Sequence, residues 1–385
     1  MTHPFDQLID RRCFESAKWH CYEDDVLPLW VADMDFRCPE PVVEALLQRV
    51  DHGVFGYGLP PEELKAAIVS HLERVHDWRI QPEHLLFLPG VVTGFNLVCH
   101  ATTTPGDGVL LQTPVYYPML RAPAQAGLSN DEMELTRRSD GQYEVDLDLM
   151  EKIIGDRTRV FILCNPHNPV GRVFRRDELE SMAEICLRHD IVICSDEIHC
   201  DLILGSSRHI PIASLAPEIA ERTVTLIAPS KTYNIAGLQC SVAVVQDPVL
   251  RSRLAATYPD LIPGVNILGY TATLAAYRDG QPWLDALLTY LESNLDFLLR
   301  YVESDLPGVT MARPEGTYLA WLSCHDTSIP GNPHDFFVQQ AKVALNDGAT
   351  FGPGGEGFVR LNFACPRATL AEALGRMSQA LSRLE

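Results

Sequence analysis

Between about residue 60 and residue 250 the chain alternates short apolar, β-branched runs with amphipathic stretches. The runs are Leu85–Leu88, Val109–Gln112, Val160–Cys164, Ile191–Ser195, Val224–Ala228 and Ser241–Val245, and stretches such as Asp177–Arg188 repeat apolar residues at helical spacing. A run apolar at every position, rather than every second one, belongs to a strand buried on both faces. That pattern predicts an α/β fold with a mostly parallel sheet covered by helices, and functional loops at the carboxyl ends of the strands.

The two ends of the chain read differently. Leu27–Phe36 predicts an extended arm, and Pro39-Glu40-Pro41 opens a helix with Val42, Val43, Leu46, Leu47 and Val50 on its apolar side. Gly53–Gly58 is too glycine-rich for a regular element. A long helical pattern runs from Pro263 to Leu299, interrupted at Pro282, and the stretch 305–385 reads as a smaller α+β unit ending in a helix at Leu370–Leu384. The expected organisation is an arm over 1–45 joining the small domain, a large domain over 46–275 and a small domain over 276–385.

Composition narrows the class. Thirty-one Lys+Arg against 51 Asp+Glu give a formal charge of −20, which repels nucleic acid and anionic membranes. No apolar run reaches the length of a membrane span, and Met1-Thr2-His3-Pro4 does not begin a signal peptide, so a cytoplasmic protein is expected. The eleven cysteines form no Cys-x-x-Cys, and the thirteen histidines are scattered, so no metal is expected.

The chemistry gathers where strands end. Lys231 follows an apolar run in the turn Ala228-Pro229-Ser230-Lys231-Thr232. A lysine at a strand end is commonly solvated, but desolvated it becomes the residue type that bonds pyridoxal 5'-phosphate (PLP). Asp196 ends the run at Ile191–Ser195; it could cap a helix, or hold the ring nitrogen of such a cofactor protonated. Asn168 lies in Asn165-Pro166-His167-Asn168-Pro169, which suits a tight turn or a donor to the cofactor's phenolic oxygen. Gly90-Val91-Val92 opens a helix whose free amides suit a phosphate. Tyr116 could stack on a ring, and Arg360, in Gly357–Asn362, has the fork that fits a substrate carboxylate. Each residue alone has a bland alternative. Five strand ends, each supplying a part that one PLP site needs, point to that site.

The order Asn168-Pro-x-Gly, Asp196, Ser230-Lys231, Arg360 resembles fold-type I aminotransferases of class I/II. More narrowly, Pro28–Phe36, Gly56-Tyr57, Pro114–Pro118, Cys164–Arg172, Ser195–His199 and Ala228–Leu238 are similar to PatB/MalY-type cystathionine β-lyases, the cysteine C–S lyases. The resemblance implies PLP bound by Lys231 as its Schiff-base lysine, with Asp196 on the pyridine nitrogen and Asn168 and His199 facing the phenolic oxygen. It also implies Tyr116 on the ring, Val91, Val92 and Ser230 at the phosphate, and Arg360 with Asn168, Ala32 and Asp33 around a small-molecule amino-acid substrate. Tyr57 would reach the phosphate of a second subunit, in a homodimer with shared sites. Two positions depart from the wider aminotransferase pattern, Ala228 for serine and Gln239 for a phosphate-binding arginine, as in the lyases. The expected activity is β-elimination of a thiol from cystathionine or a related cysteine S-conjugate, with pyruvate and ammonia as the other products. The alternative within the scaffold is transamination of a neutral or aromatic amino acid; outside it, a non-catalytic PLP-fold sensor, which the −20 charge disfavours.

Overall fold

A computed structural model describes residues 3–384. Its large sheet has seven strands: β1 (Leu85–Leu88), β2 (Gly108–Thr113), β3 (Ser129–Glu134), β4 (Thr158–Cys164), β5 (Val192–Asp196), β6 (Thr223–Ile227) and β7 (Ser241–Val244). They lie side by side in the order β1-β7-β6-β5-β4-β2-β3. Only β7 runs antiparallel, to both its neighbours; the other pairings are parallel. Six strands coincide with the apolar runs to within about two residues. The seventh, β3, is Ser-Asn-Asp-Glu-Met-Glu, an edge strand with only Met133 buried. A polar edge discourages pairing with another chain and carries no apolar signal.

The register brings the chemistry together. Cys164 stands opposite Asp196, and Asp196 opposite Leu226, so β4, β5 and β6 end at one level. Helix Val91–Thr102 covers one face of the sheet and Arg176–Arg188 the other. The first of these sits close because Gly94 has no side chain; a Cβ there would lie 2.7 Å from Leu226 Cδ2.

A second, antiparallel sheet contains β8 (Leu319–Ser323), β9 (Asn346–Asp347) and β10 (Phe358–Asn362), in the order β8-β10-β9. The helices Gln281–Asp305 and Arg367–Leu381 belong to the same apolar core as this sheet. The arm joins it. Leu27–Pro28 pairs in parallel with Val343–Ala344, Asn362 N donates to Leu29 O at 2.9 Å, and Asp35 N donates to Ala364 O at 3.0 Å. The expected helix after the arm spans Glu40–Asp51, but Leu47 and Val50 face outward from it. No helix among the described residues is long and apolar enough to cross a membrane.

An ion-pair cluster holds the arm. Lys18 is completely buried, with Nζ 2.8 Å from Asp35 Oδ2 and 3.1 Å from Asp33 O. Arg11 bridges Asp33 and Asp35 at 2.9 Å each, and Trp19 Nε1 donates to Asp35 at 3.0 Å. Burial pushes the Asp35 carboxyl up, but Lys18 and Arg11 outweigh it and hold it below the usual range. Removing Lys18 leaves the buried Asp35 carboxylate with Arg11 as its one cation and with Oδ2 without its 2.8 Å partner. Lys18→Met is therefore expected to destabilise the fold by about 3 kcal/mol. Lys18→Met/Asp35→Asn should recover part of that loss in urea denaturation, and equal losses in both variants would show that the pair does not hold the arm.

Candidate active site

A cavity of about 290 Å³ opens at the carboxyl ends of the strands, between the large sheet, β10 and the arm. Its lining includes Ala32, Val91, Val92, Tyr116, Asn168, Asp196, His199, Ser230, Lys231 and Arg360. Ten of the twelve residues singled out from the sequence thus meet in one place. Asp33 and Tyr57 do not. The Asp33 side chain is turned to Arg11 and Lys18 and is not among the lining residues, though its charge acts on Lys231. Tyr57 is fully exposed, on an irregular segment away from its own chain's cavity.

Lys231 sits in the single turn Pro229–Thr232 that follows β6. Its Nζ donates to Ala32 O at 2.6 Å, an oxygen that also accepts from the Tyr318 hydroxyl at 3.0 Å. Burial pulls its ammonium down to about 8; the Arg360 charge pulls the same way, while Asp33 and Asp196 oppose it. Asp196 is displaced in the other direction, up to about 7, first by burial and then by the charge of Glu197. Its Oδ1 accepts from Ile198 N at 3.0 Å. Such a carboxyl is held ionised at neutral pH by a cation placed beside it, which is what a protonated pyridine offers.

Arg360 projects from β10. Its Nη1 donates to Asn168 Oδ1 at 2.8 Å, and its Nη2 to Trp30 O at 2.9 Å and to Asn346 Oδ1. All its partners are neutral, and its Nε is buried with no partner among the described residues. Burial lowers it to about 10, still cationic at neutral pH. A buried cation without a carboxylate is an anion site. Asn346 had no signal in the sequence; it reaches Arg360 because the two stand opposite each other across β9 and β10. Trp30 and Tyr117 also line the cavity and were likewise unmarked.

The remaining parts are polar groups awaiting a partner. His199 Nδ1 is buried and unpaired among the described residues, and burial presses its imidazole down to about 3, so the ring is neutral. Helix Val91–Thr102 starts at Gly90 with no side-chain cap, leaving its first amides open at the cavity. Gln239 is exposed and outside the lining, and Ala228 has no donor, so Lys231 and Arg360 are the cations among the lining residues. An aldehyde-reactive amine, a carboxyl that needs a cation, an uncapped helix start and a ring-facing tyrosine together fit PLP.

A profile of the aminotransferase class I and II family matches residues 24–377. The chain is 41% identical over 389 residues to cystathionine beta-lyase PatB of Bacillus subtilis, covering 98% of this chain and all of that protein. The crystal structure of cystalysin from Treponema denticola, which contains PLP, has a TM-score of 0.95 at 33% identity over the full length of both chains. The PLP-bound C–S lyase from Staphylococcus hominis has a TM-score of 0.92 at 33% identity, covering 98% of each chain. Matched in sequence from arm to last helix, and in fold over its whole length, the chain belongs to the class I and II aminotransferase family.

Proposed function

We propose that this chain is a PLP-dependent C–S β-lyase that cleaves cystathionine or a related cysteine S-conjugate to a thiol, pyruvate and ammonia. The observation that carries the reading is the desolvated pair Lys231 and Asp196 facing the unneutralised Arg360 in one cavity. The likeness to PatB, cystalysin and the Staphylococcus lyase supports elimination over transfer.

Bound PLP supplies an aldehyde carbon that takes the substrate amine and a ring that accepts the electron pair left at Cα. Arg360 grips the α-carboxylate through its free Nε edge, with Asn168 fixing the guanidinium. Lys231 would take the Cα proton; its lowered pKa leaves about a tenth of it as free amine at neutral pH. In holding PLP, Asp196 would pair with the ring nitrogen, and His199 and Asn168 would face the phenolic oxygen. Tyr116 would supply the aromatic contact to the ring, and Val91, Val92 and Ser230 would hold the phosphate. Ala32 closes the cavity over the amine of Lys231. Loss of the Cα proton is matched by departure of the thiolate from Cβ, and water hydrolyses the aminoacrylate that leaves to pyruvate and ammonia, so a substrate needs a leaving group at Cβ. The carboxylate of aspartate is not one.

The working unit is a homodimer. Tyr57 is flanked by exposed Val54, Phe55 and Leu59, and Leu47 and Val50 point outward from the preceding helix. Such a patch calls for cover, and a second copy would bring Tyr57 to the phosphate of its neighbour's site. Eleven free thiols fit a reducing compartment, the cytoplasm. The arm over 1–45 and residues 276–385 form the small domain, and 46–275 the large one. Their pairing at Leu27–Pro28 supports that division.

Three outcomes test the proposal. Cystathionine without any keto acid should yield pyruvate at a steady rate, and Lys231→Ala should lower it by at least about a thousandfold. A single turnover per site followed by a stall would indicate transamination instead. PLP capture by the apoenzyme should speed up as pH rises through about 8, because the reactive amine is the deprotonated form of Lys231. A midpoint near 10.4, the value of a solvated lysine, would mean Lys231 is not desolvated. In verified heterodimers of two inactive chains, Lys231→Ala and Tyr57→Phe, about half the wild-type rate should return, since one of the two sites is whole. No recovery would remove Tyr57 from the shared site.

A further inference from the structure

Outside the cavity lining lies a buried cluster that plays no part in the proposed chemistry. His71 and His76, on helix Glu62–His76, both meet Asp201, on the turn after β5. Their Nε2 atoms stand 2.9 and 3.2 Å from Asp201 Oδ1. The other oxygen, Oδ2, accepts from the Thr232 hydroxyl at 3.2 Å. All four side chains are buried, and the Tyr277 ring lies over His71 with centroids 4.8 Å apart. Thr232 is the residue next to Lys231.

We propose that Asp201, gripped by His71 and His76, is a positioning residue that fixes the Lys231 turn through Thr232. This inference rests on the reading of Lys231 as the base that moves the Cα proton.

A desolvated carboxylate is expensive unless every lone pair is met, and apolar residues of similar volume would stabilise a core as well. Here burial pushes the Asp201 carboxyl up and the two imidazoles outweigh it, holding it well below its usual range as a fixed anion. The anion is thereby available as a rigid acceptor for one hydroxyl, on the turn that carries the reactive amine. The Lys231 amine has one hydrogen-bond partner among the described residues, Ala32 O, so its position depends on the turn that carries it. The neighbouring Asn234 adds further side-chain tethers: its amide donates to Met34 O and Phe36 O at 3.0 and 2.8 Å, and its Oδ1 accepts from Met34 N. Asn234 ties the turn to the arm, and Thr232 ties it to the body of the large domain. The anchor should therefore matter for proton transfer and little for substrate or cofactor binding. The nitrogen–oxygen separations are those of hydrogen bonds.

The test compares Thr232→Ser, Thr232→Ala and Thr232→Val as holoenzymes, with cystathionine carrying hydrogen or deuterium at Cα. Thr232→Ser keeps the hydroxyl and should stay within about threefold of wild type. Thr232→Ala and Thr232→Val should lose about tenfold or more in kcat, since a displacement of about 1 Å at the reacting atoms can cost a hundredfold. KM, PLP affinity and the position of the cofactor absorbance band should hardly move, and the deuterium effect on kcat should grow. Should Thr232→Val fail to fold, the Ser and Ala pair, differing by one hydroxyl, decides. Equal kcat in that pair would overturn the inference, as would a loss of PLP affinity that accounts for the whole effect. One equivalent of a transition metal retained by the purified holoenzyme would also overturn it, by making the cluster a metal centre. If Lys231→Ala keeps its turnover, the reading of the site itself fails; if Lys231→Ala is dead while the Ser and Ala variants match, only this inference does.

Discussion

Asp196 and Lys231 line one cavity, and the loss of water moves them in opposite directions, the acid up to about 7 and the base down to about 8. Groups whose titration ranges lie far apart in water come to adjoin. Neither is neutralised by a close ion pair, so each stays responsive to what enters. Arg360 completes the arrangement from the small sheet. Its partners are two asparagine side chains and a backbone carbonyl, which orient the guanidinium without cancelling its charge. Desolvation without neutralisation is what makes the cavity reactive, and the rest of the fold serves to maintain it.

The neighbouring Glu197 illustrates how that is done. It is wholly buried, yet Ser195 Oγ, His209 Nε2 and Ile212 N surround its two oxygens at 2.8, 2.8 and 3.2 Å. Adjacent acids at the end of β5 therefore have opposite fates. Glu197 is satisfied by the protein, and Asp196 keeps an oxygen for a cofactor.

Much of this was legible in the chain because parallel strands write their burial as continuous apolar runs and place function just after them. Lys231, Asp196, Asn168, Tyr116 and the turn at Gly90 all follow such runs, and the structure gathers them in one cavity. What escaped notice has physical reasons. The edge strand Ser129–Glu134 faces water and shows no apolar run. Asn346 becomes part of the site only through its register with Arg360, a relation between residues 14 positions apart that no local pattern records. The cluster of His71 and His76 with Asp201 spans 130 residues and does not follow a helical ligand spacing. The ion pairs of Asp33 with Arg11 and Lys18 join residues 22 and 15 positions apart within the arm, and no local pattern records them either.

The arm has a further consequence, in the order in which the protein is made. Its strand at Leu27–Pro28 finds its partner at Val343–Ala344, and Leu29 its donor at Asn362. More than 300 residues must leave the ribosome before either contact can form. The large sheet, whose strands all fall between Leu85 and Val244, needs none of them. Folding by domains as the chain emerges thus builds the sheet and the Lys231 turn first, with the cavity still open on one side. The strand pairing that locks the arm, and with it the Ala32 carbonyl beside Lys231, waits for Val343–Ala344. A segment translated before the sheet is thus locked in place after it, and the cavity wall it supplies is completed late.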